Sequence, residues 1–198
     1  MSPLSPPTSR EQWRREMRIL RRALDPAQRQ QAAAALVETV TGLAEFRNAV
    51  HIAVYMAMDG EIDPAPLAAR ARETGKQLYL PVLVAETLRF AAWHPDTLLY
   101  PNRFKIPEPR PPLDELHSPA ELDLVLTPLV AFDAQGNRLG MGGGYYDRSF
   151  AFLKAGMHKP LLIGLAYEFQ HLPSLSVEPW DVPLAGVATD CAFYRFRD

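Results

Sequence analysis

The sequence predicts an α/β fold in which helices flank a mainly parallel central sheet. Its clearest support is a strand–helix–strand pattern, because the apolar runs 50–56 and 77–84 lie on either side of a helical segment. Asp63 is expected to cap that helix and Pro64 to begin it. A unit of this kind closes with a right-handed crossover and leaves its two strands parallel. A further apolar run, 160–167, predicts another buried strand, so the sheet is larger than one pair.

Length and composition favour one globular domain. The chain has 198 residues, of which 47% are hydrophobic, and this is enough for a full-sized core. A net charge of −2 gives no basic field for nucleic acid, and no apolar stretch is as long as a membrane span. Cys191 is the single cysteine, which excludes an internal disulfide and suits the cytoplasm. We expect residues 9–198 to form one domain and the proline- and serine-rich residues 1–8 to be a disordered tail.

Two helices are predicted ahead of the first strand. Ser9-Arg10-Glu11-Gln12 resembles a capping box and predicts a helix over 10–24. Asp25, followed by proline, predicts a second helix over 26–44. The first helix is strongly basic, with six arginines on its polar face at positions 10, 14, 15, 18, 21 and 22. Because a basic helix face is usually solvated, we expect no chemical role for most of them.

The later segments complete the predicted sheet. Residues 88–93 predict a strand, and the proline-dense segment 101–112 is by default a linker or a domain boundary. The apolar run 122–132 predicts a buried strand that leads into a glycine-rich segment, after which residues 145–155 predict a helix. Residues 187–196 predict the last strand.

The most unusual segment is 136–144, which holds five of the chain's 11 glycines. It lies between a predicted strand and a predicted helix, where free backbone N–H groups and the helix dipole favour an anion. Arg138 and Arg148 bracket it with guanidinium groups that can bind phosphate through two hydrogen bonds, and Asp147 offers an oxygen ligand for a divalent cation. These features predict a phosphate-binding loop.

The glycine-rich segment also allows a purely structural interpretation. An isolated glycine cluster more often permits tight packing than phosphate binding. The segment is not a P-loop, because tyrosine follows Gly144 where Lys-Ser/Thr belongs. It is not a dinucleotide fingerprint either, because Tyr145 stands at the place of the third glycine. The adjacent Tyr145 and Tyr146 suit a flat aromatic substrate.

The segment resembles a known signature, that of the 5-formyltetrahydrofolate cyclo-ligases, also called 5,10-methenyltetrahydrofolate synthetases. The resemblance is carried by Asn137-Arg138-Leu139-Gly140-Met141-Gly142-Gly143-Gly144-Tyr145-Tyr146-Asp147-Arg148 and by the lead-in Pro128-Leu129-Val130-Ala131-Phe132-Asp133. It covers nearly the whole chain after Ser9. It implies a three-layer, Rossmann-like fold of the NagB/RpiA/CoA-transferase type.

The resemblance also implies a function. The expected reaction is the closure of 5-formyltetrahydrofolate to 5,10-methenyltetrahydrofolate, with ATP and Mg²⁺ as cofactors and with release of ADP and phosphate. The substrate is then a reduced folate, with or without a polyglutamate tail. We expect a cytoplasmic monomer or weak dimer without nucleic-acid or membrane partners.

Individual roles follow from the same resemblance. The residues expected to bind ATP are Arg10, Arg14, Arg138, Gly140, Gly142, Gly143, Gly144 and Tyr146. Those expected to bind the folate are Met56, Glu61, Phe104, Met141 and Tyr145. Asp147 and Asp181 are expected to hold magnesium, and Arg138, Tyr145 and Asp147 to act in catalysis.

Two of these positions have a further basis, and two others depart from the family pattern. The carboxylate of Glu61 can accept two parallel N–H bonds from an aminopyrimidine ring, although by itself it is an ordinary loop residue. Phe104 lies in the proline-dense segment, which the resemblance makes a lid over the folate. Met141 and Gly143 depart from the family, in which a basic or aromatic residue and a lysine often stand at these places.

Two alternatives to this function remain at the level of sequence. One is a different ATP-dependent ligase or kinase on the same scaffold, with Met141 marking a changed specificity. The other is a non-catalytic relative that binds folate or nucleotide. The presence of both Asp147 and Asp181 favours an enzyme, because folate binding alone needs no pair of magnesium ligands.

Overall fold

A computed structural model describes residues 9–196; the tail predicted at residues 1–8 lies outside this range. The helices are α1 (Arg10–Ala23), α2 (Pro26–Thr41), α3 (Ala44–Asn48), α4 (Ala65–Glu73) and α5 (Tyr145–Ser149). The strands are β1 (His51–Ala53), β2 (Gln77–Val84), β3 (Thr87–Ala92), β4 (Tyr100–Pro101), β5 (Pro107–Glu108), β6 (Leu124–Pro128), β7 (Ala131–Asp133), β8 (Arg138–Leu139), β9 (Leu161–Ala166), β10 (His171–Leu172), β11 (Gly186–Thr189) and β12 (Phe193–Arg195). Within residues 9–196 no helix is long and apolar enough to cross a membrane.

The central sheet has seven strands in the order β12-β11-β9-β6-β1-β2-β3. Its five inner strands are parallel, and the edge strands β12 and β3 are antiparallel to their neighbours. The predicted unit β1-α4-β2 is present, with Ile52 paired with Leu78. This confirms the predicted α/β class.

Side chains of the sheet alternate between two apolar layers. Ile52 and Leu124 face the layer formed with α2 and α4, whereas their neighbours Ala53 and Val125 face the opposite layer, which contains Phe150. This alternation is the period-2 pattern of a strand, and burial of both faces explains why the strands are apolar throughout.

The N-terminal helices begin where the sequence predicted. The Ser9 side chain accepts a hydrogen bond from the Gln12 backbone N–H, and the Gln12 side chain accepts one from the Ser9 backbone N–H, so the capping box is present. Asp25 and Gln28 form the same arrangement at α2. The prediction of one helix over 26–44 was too long, because the chain turns at Gly42 and restarts as α3.

Other boundaries also differ from the predictions, and the strand predicted over 50–56 is only β1, His51–Ala53. Helix α4 begins at Ala65, and Asp63 accepts the Ala65 backbone N–H from two positions earlier rather than serving as the N-cap. The predicted last strand, 187–196, is a hairpin of β11 and β12. Its turn forms because the Thr189 hydroxyl accepts the backbone N–H groups of Cys191 and Ala192.

The predicted strand 122–132 is divided between two sheets. Its first part is β6 in the central sheet, and its last part is β7 in a small sheet of order β10-β7-β8. The buried Gln170 holds the bend between them, because its side-chain amide donates to the carbonyls of Leu129 and Val130. The glycine-rich segment therefore starts in a hairpin, β7–β8, that projects from the sheet.

Candidate active site

A cleft with a volume of about 830 Å³ lies beyond the carboxyl ends of the central strands. It is bounded by α1, the loop after β1, the proline-dense segment, the glycine-rich loop and residues 178–181. All fifteen residues to which the family resemblance assigned a site role line this cleft. Residues far apart in the chain are thus brought together, while their individual roles stay predictions.

The glycine-rich loop is shaped by backbone conformations that favour glycine. Gly142 has φ of +98° and Gly144 has φ of +67°. Gly144 is the N-cap of α5, and a Cβ atom on Gly143 would lie 2.9 Å from the Tyr145 ring. The helix predicted over 145–155 is only α5, followed by a 3₁₀ turn at Ala151–Ala155, so any dipole effect comes from little more than one turn.

An ion pair lies at the end of this loop. Arg138 Nη2 is 2.5 Å from Asp147 Oδ1, and the same carboxylate oxygen accepts the Val182 backbone N–H at 3.1 Å. Arg138 is 7% exposed, and its Nη1 has no hydrogen-bond partner among the described residues. The arginine therefore lines the cleft with a donor that no described protein group satisfies.

Helix α1 places two more arginines against the loop. Arg14 Nε donates to the Gly140 carbonyl at 2.9 Å, and Arg10 Nη1 is 3.0 Å from Asp181 Oδ2. Burial, and next the charge of Arg10, lower the pKa of Arg14. Three guanidinium groups and the glycine amides thus line one end of the cleft, which is an arrangement suited to a polyphosphate.

Arg148 does not belong to this set, contrary to the sequence-based interpretation. Its Nε donates to the Glu86 carbonyl and its Nη2 to the Gly143 carbonyl, at 2.7 and 2.8 Å. It ties the loop to the turn between β2 and β3, which is a structural role.

The two aspartates expected to bind magnesium both line the cleft, and each pairs with an arginine. Among residues 9–196 no group of three or more His, Cys, Asp or Glu side chains could hold a metal ion. The donor set nevertheless fits Mg²⁺, because this ion is commonly held by one or two carboxylates while nucleotide phosphates and water complete its shell.

The other end of the cleft contains Met56 and Glu61. The Glu61 carboxylate accepts the Met58 backbone N–H at 3.0 Å and lies 3.8 Å from Arg21 Nη1. Burial raises the pKa of Glu61 above its ordinary value, and the hydrogen bond from Met58 and the charge of Arg21 offset only part of this shift. The loop turns at Asp59 and Gly60, both of which have positive φ.

Aromatic residues of the proline-dense segment and of α5 also line the cleft. Phe104 is 51% exposed, and its ring meets the Tyr145 ring edge-on at a centroid distance of 5.8 Å. Arg103 donates a hydrogen bond to the Tyr145 hydroxyl. Burial raises the pKa of Tyr146 far above its ordinary value, so this phenol stays protonated and is no general base near neutral pH.

The proline-dense segment is anchored to the central sheet. The Glu108 carboxylate accepts the Leu83 backbone N–H at 3.2 Å and the Asn102 side-chain amide at 2.9 Å. Asn102 in turn accepts the backbone N–H of Phe104 at 2.9 Å. Phe104 is therefore held at the cleft mouth by a network that begins on β2.

Sequence reasoning missed Arg21, Asn102, Glu108 and the exposed Trp180, which also line the cleft. A signal existed for Arg21: it lies seven residues after Arg14 and eleven after Arg10, so all three fall on one helix face. The other three had no pattern, because they lie on segments whose path depends on tertiary contacts.

Comparisons with known proteins show the family to which the chain belongs. The chain matches the 5-formyltetrahydrofolate cyclo-ligase family over residues 7–190. It is 42% identical to a Haemophilus influenzae protein named 5-formyltetrahydrofolate cyclo-ligase over 179 residues, which are 88% of this chain and 94% of the relative. An Escherichia coli protein of the same name is 39% identical over 176 residues, 87% of this chain and 96% of the relative.

Solved structures agree as well. The fold is similar to that of Aquifex aeolicus 5,10-methenyltetrahydrofolate synthetase, with a TM-score of 0.81, 30% identity and coverage of 96% of this chain and 93% of the other. A Mycoplasma pneumoniae 5,10-methenyltetrahydrofolate synthetase has a TM-score of 0.73 at 22% identity, with coverage of 92% and 99%, and supports the fold alone.

Proposed function

The chain belongs to the 5-formyltetrahydrofolate cyclo-ligase family, and from that premise we propose how its cleft closes 5-formyltetrahydrofolate to 5,10-methenyltetrahydrofolate at the expense of ATP. The observation that carries the proposal is that all fifteen residues assigned a site role by the family resemblance line one cleft, in which we distinguish a cationic end and an aromatic end. The cationic end takes the triphosphate and the aromatic end takes the pterin.

The chemistry needs a better leaving group than the formyl oxygen. That oxygen attacks the γ-phosphorus of ATP, the bond from phosphorus to the β,γ-bridging oxygen breaks, and ADP leaves. N10 of the folate then attacks the activated formyl carbon and loses its proton, and inorganic phosphate departs as the N5–C–N10 bridge forms. The protein mainly positions the reactants and neutralises charge.

The phosphates are bound by Arg10, Arg14 and Arg138 together with the amides of the glycine-rich loop. The free Nη1 of Arg138 supports this assignment, because a buried guanidinium donor without a partner among the described residues is completed by a ligand oxygen. Asp147 and Asp181 would hold Mg²⁺, which supplies charge neutralisation on the transferring phosphate. Asp147 also keeps Arg138 oriented through their ion pair.

The folate is held by residues at the opposite end. Glu61 accepts two N–H groups of the pterin ring, and Met56 packs against its face. Phe104 and Tyr145 cover the ring, while the exposed Met141 contacts the substrate at the mouth of the cleft. No side chain needs to act as a general base.

The broader setting is also a proposal. A net charge of −2 argues against nucleic acid, and a single cysteine suits the cytoplasm. The arginine-lined cleft is built within one chain, which supports a monomer or weak dimer, and its open mouth accommodates a folate with a polyglutamate tail.

The test is to mix the protein with MgATP and 5-formyltetrahydrofolate and to follow the near-ultraviolet absorbance of the methenyl product. We expect absorbance to grow only when both ligands and Mg²⁺ are present. Growth without ATP, or folate binding with no turnover, would contradict the proposal and favour a folate-binding relative.

A further inference from the structure

Arg21 is the most deeply buried charged side chain of the cleft. It lies on the inner face of α1, is 1% exposed, and lines the cavity. Its Nη1 is 3.8 Å from Glu61 Oε1 and its Nη2 is 3.8 Å from Asp59 Oδ2. Its Nε and Nη1 have no hydrogen-bond partner among the described residues. Burying a cation costs free energy unless it is paired with opposite charge. We therefore look for the role of Arg21 in its effect on these two carboxylates.

The two carboxylates depend on Arg21 unequally. Asp59 has two other cations, since Arg18 Nε lies 2.9 Å from Oδ2 and Arg22 pairs with Oδ1. Among the described residues, Arg21 is the one cation in an ion pair with Glu61. Removing Arg21 would therefore leave Asp59 paired and Glu61 alone in a buried setting.

The remaining neighbours of Glu61 do not replace that charge. Tyr55 and Tyr146 are neutral phenols whose pKa values are raised, and their ionised forms would repel Glu61. The Tyr167 hydroxyl points at the Glu61 backbone carbonyl, and Asp59 carries a like charge that raises the pKa of Glu61. The Met58 backbone N–H is the remaining group that favours the anion.

The approach of α1 to this loop is fixed by backbone contact. Gly60 packs so closely on Arg21 that a Cβ atom would lie 2.9 Å from the Arg21 carbonyl oxygen. Arg29 donates to that same carbonyl at 3.3 Å, which steadies the end of α1. The α1 backbone that carries this guanidinium is consequently fixed beside the loop that carries Glu61.

We propose that Arg21 is a positioning residue that keeps Glu61 ionised and directed at the pterin. The proposal rests on the proposed function, in which Glu61 accepts two N–H groups from the pterin ring. A protonated carboxyl cannot do this, because one of its oxygens becomes a donor. Arg21 therefore acts on substrate affinity through Glu61 without touching the reacting atoms.

The test is the pH dependence of KM for 5-formyltetrahydrofolate in the Arg21→Met variant, measured by ADP release at saturating MgATP between about pH 5.5 and 8.5. Loss of the cation moves the acid limb to higher pH by about one unit, so the ratio of the variant KM to the wild-type KM rises towards about tenfold at the acid end of this range and approaches one at alkaline pH. The value of kcat should change little.

Arg18→Met is the matched control, because Arg18 lies on the same helix and pairs with Asp59 but not with Glu61. Its pH profile should parallel that of the wild type. Arg21→Lys keeps the charge and should restore most of the wild-type profile. If burying methionine unfolds the protein in a thermal melt, Arg21→Gln carries the same expectation as a neutral variant that can still hydrogen-bond.

Two results would overturn the inference. One is a KM that is raised by the same factor at every pH in Arg21→Met and Arg21→Gln, which indicates a structural role only. The other is an Arg18→Met profile that shifts as far as that of the neutral Arg21 variants. Absence of any ADP release from wild-type protein would instead contradict the proposed function, so the two failures are distinguishable.

Discussion

Substitution of Gly60 by alanine should damage the folate end of the cleft more than its stability cost alone suggests. Gly60 has φ of +75°, and a Cβ atom there would lie 2.9 Å from the carbonyl oxygen and 3.0 Å from the carbonyl carbon of Arg21. Both are backbone atoms of a helix, so they cannot move aside as a side chain would. The loop must therefore shift away from α1 and take Asp59 and Glu61 with it.

The size of the effect follows from two separable costs. Positive φ costs an alanine about 1–2 kcal/mol, of which roughly 0.4–1 kcal/mol is recovered through a less flexible unfolded chain. Overlap with the helix backbone adds about 1–3 kcal/mol. The net loss for Gly60→Ala is then roughly 1–5 kcal/mol with a midpoint near 3, and that midpoint corresponds to about 6–12 °C in Tm for a chain of this size.

Gly75→Ala separates these costs. Gly75 has nearly the same φ, +76°, but no heavy atom lies within 4 Å of the position of its Cβ. It should lose only about 1 kcal/mol, or about 2–4 °C, and keep the wild-type KM for 5-formyltetrahydrofolate. Gly60→Ala should raise that KM about tenfold or more, because Glu61 is displaced.

Thermal melts and steady-state kinetics of the two variants provide the assay. Equal Tm losses would refute the collision with α1. A Gly60→Ala enzyme with unchanged KM would refute the placement of Glu61 against the folate.

Three further predictions follow from the site and from the amino ends of the central strands. Asp147→Asn should lower kcat for ADP release by about two orders of magnitude, because it weakens both the magnesium site and the Arg138 pair, and unchanged kcat would exclude both roles. Arg14→Met should raise KM for ATP roughly tenfold, because it removes a charged hydrogen-bond donor. Substitution of the exposed neighbour, Arg15→Met, should leave KM for ATP unchanged, and titration with ATP measures both values. Burial raises the pKa of Asp123, but backbone N–H groups and a lysine outweigh it and lower the pKa to about 2. The ionised Asp123 therefore stabilises the fold at pH values above its ordinary pKa of 3.8, and this stabilisation is lost as pH falls towards 2. The Asp123→Asn variant should accordingly have a lower Tm than the wild type at pH 7, and the difference should disappear between about pH 4 and 2.

The sequence predicted those parts of the fold that local chemistry determines. Strand β2 was placed residue for residue at Gln77–Val84, and the start of α1 followed from its capping box. These elements succeed because hydrophobic period and cap residues act over a few positions. The glycine-rich loop was found for the same reason, since its composition is local.

The parts that failed depend on contacts between distant residues. The strand predicted over 122–132 is broken in two because Gln170, some forty residues later, holds the bend. Arg148 is drawn to carbonyls of its own loop and of the β2–β3 turn, which no spacing in the sequence indicates. The sequence does not indicate the partner of Arg21, because the ion pair with Glu61 forms only when the loop containing Glu61 folds onto α1.

The central claim is that one cleft brings the formyl oxygen to the γ-phosphate of ATP. The most direct measurement uses 5-formyltetrahydrofolate labelled with oxygen-18 in the formyl group, with the released inorganic phosphate analysed by mass spectrometry. We predict one labelled oxygen in the phosphate for each ADP formed, because the formyl oxygen leaves as part of phosphate. Unlabelled phosphate accompanied by labelled water would contradict the claim.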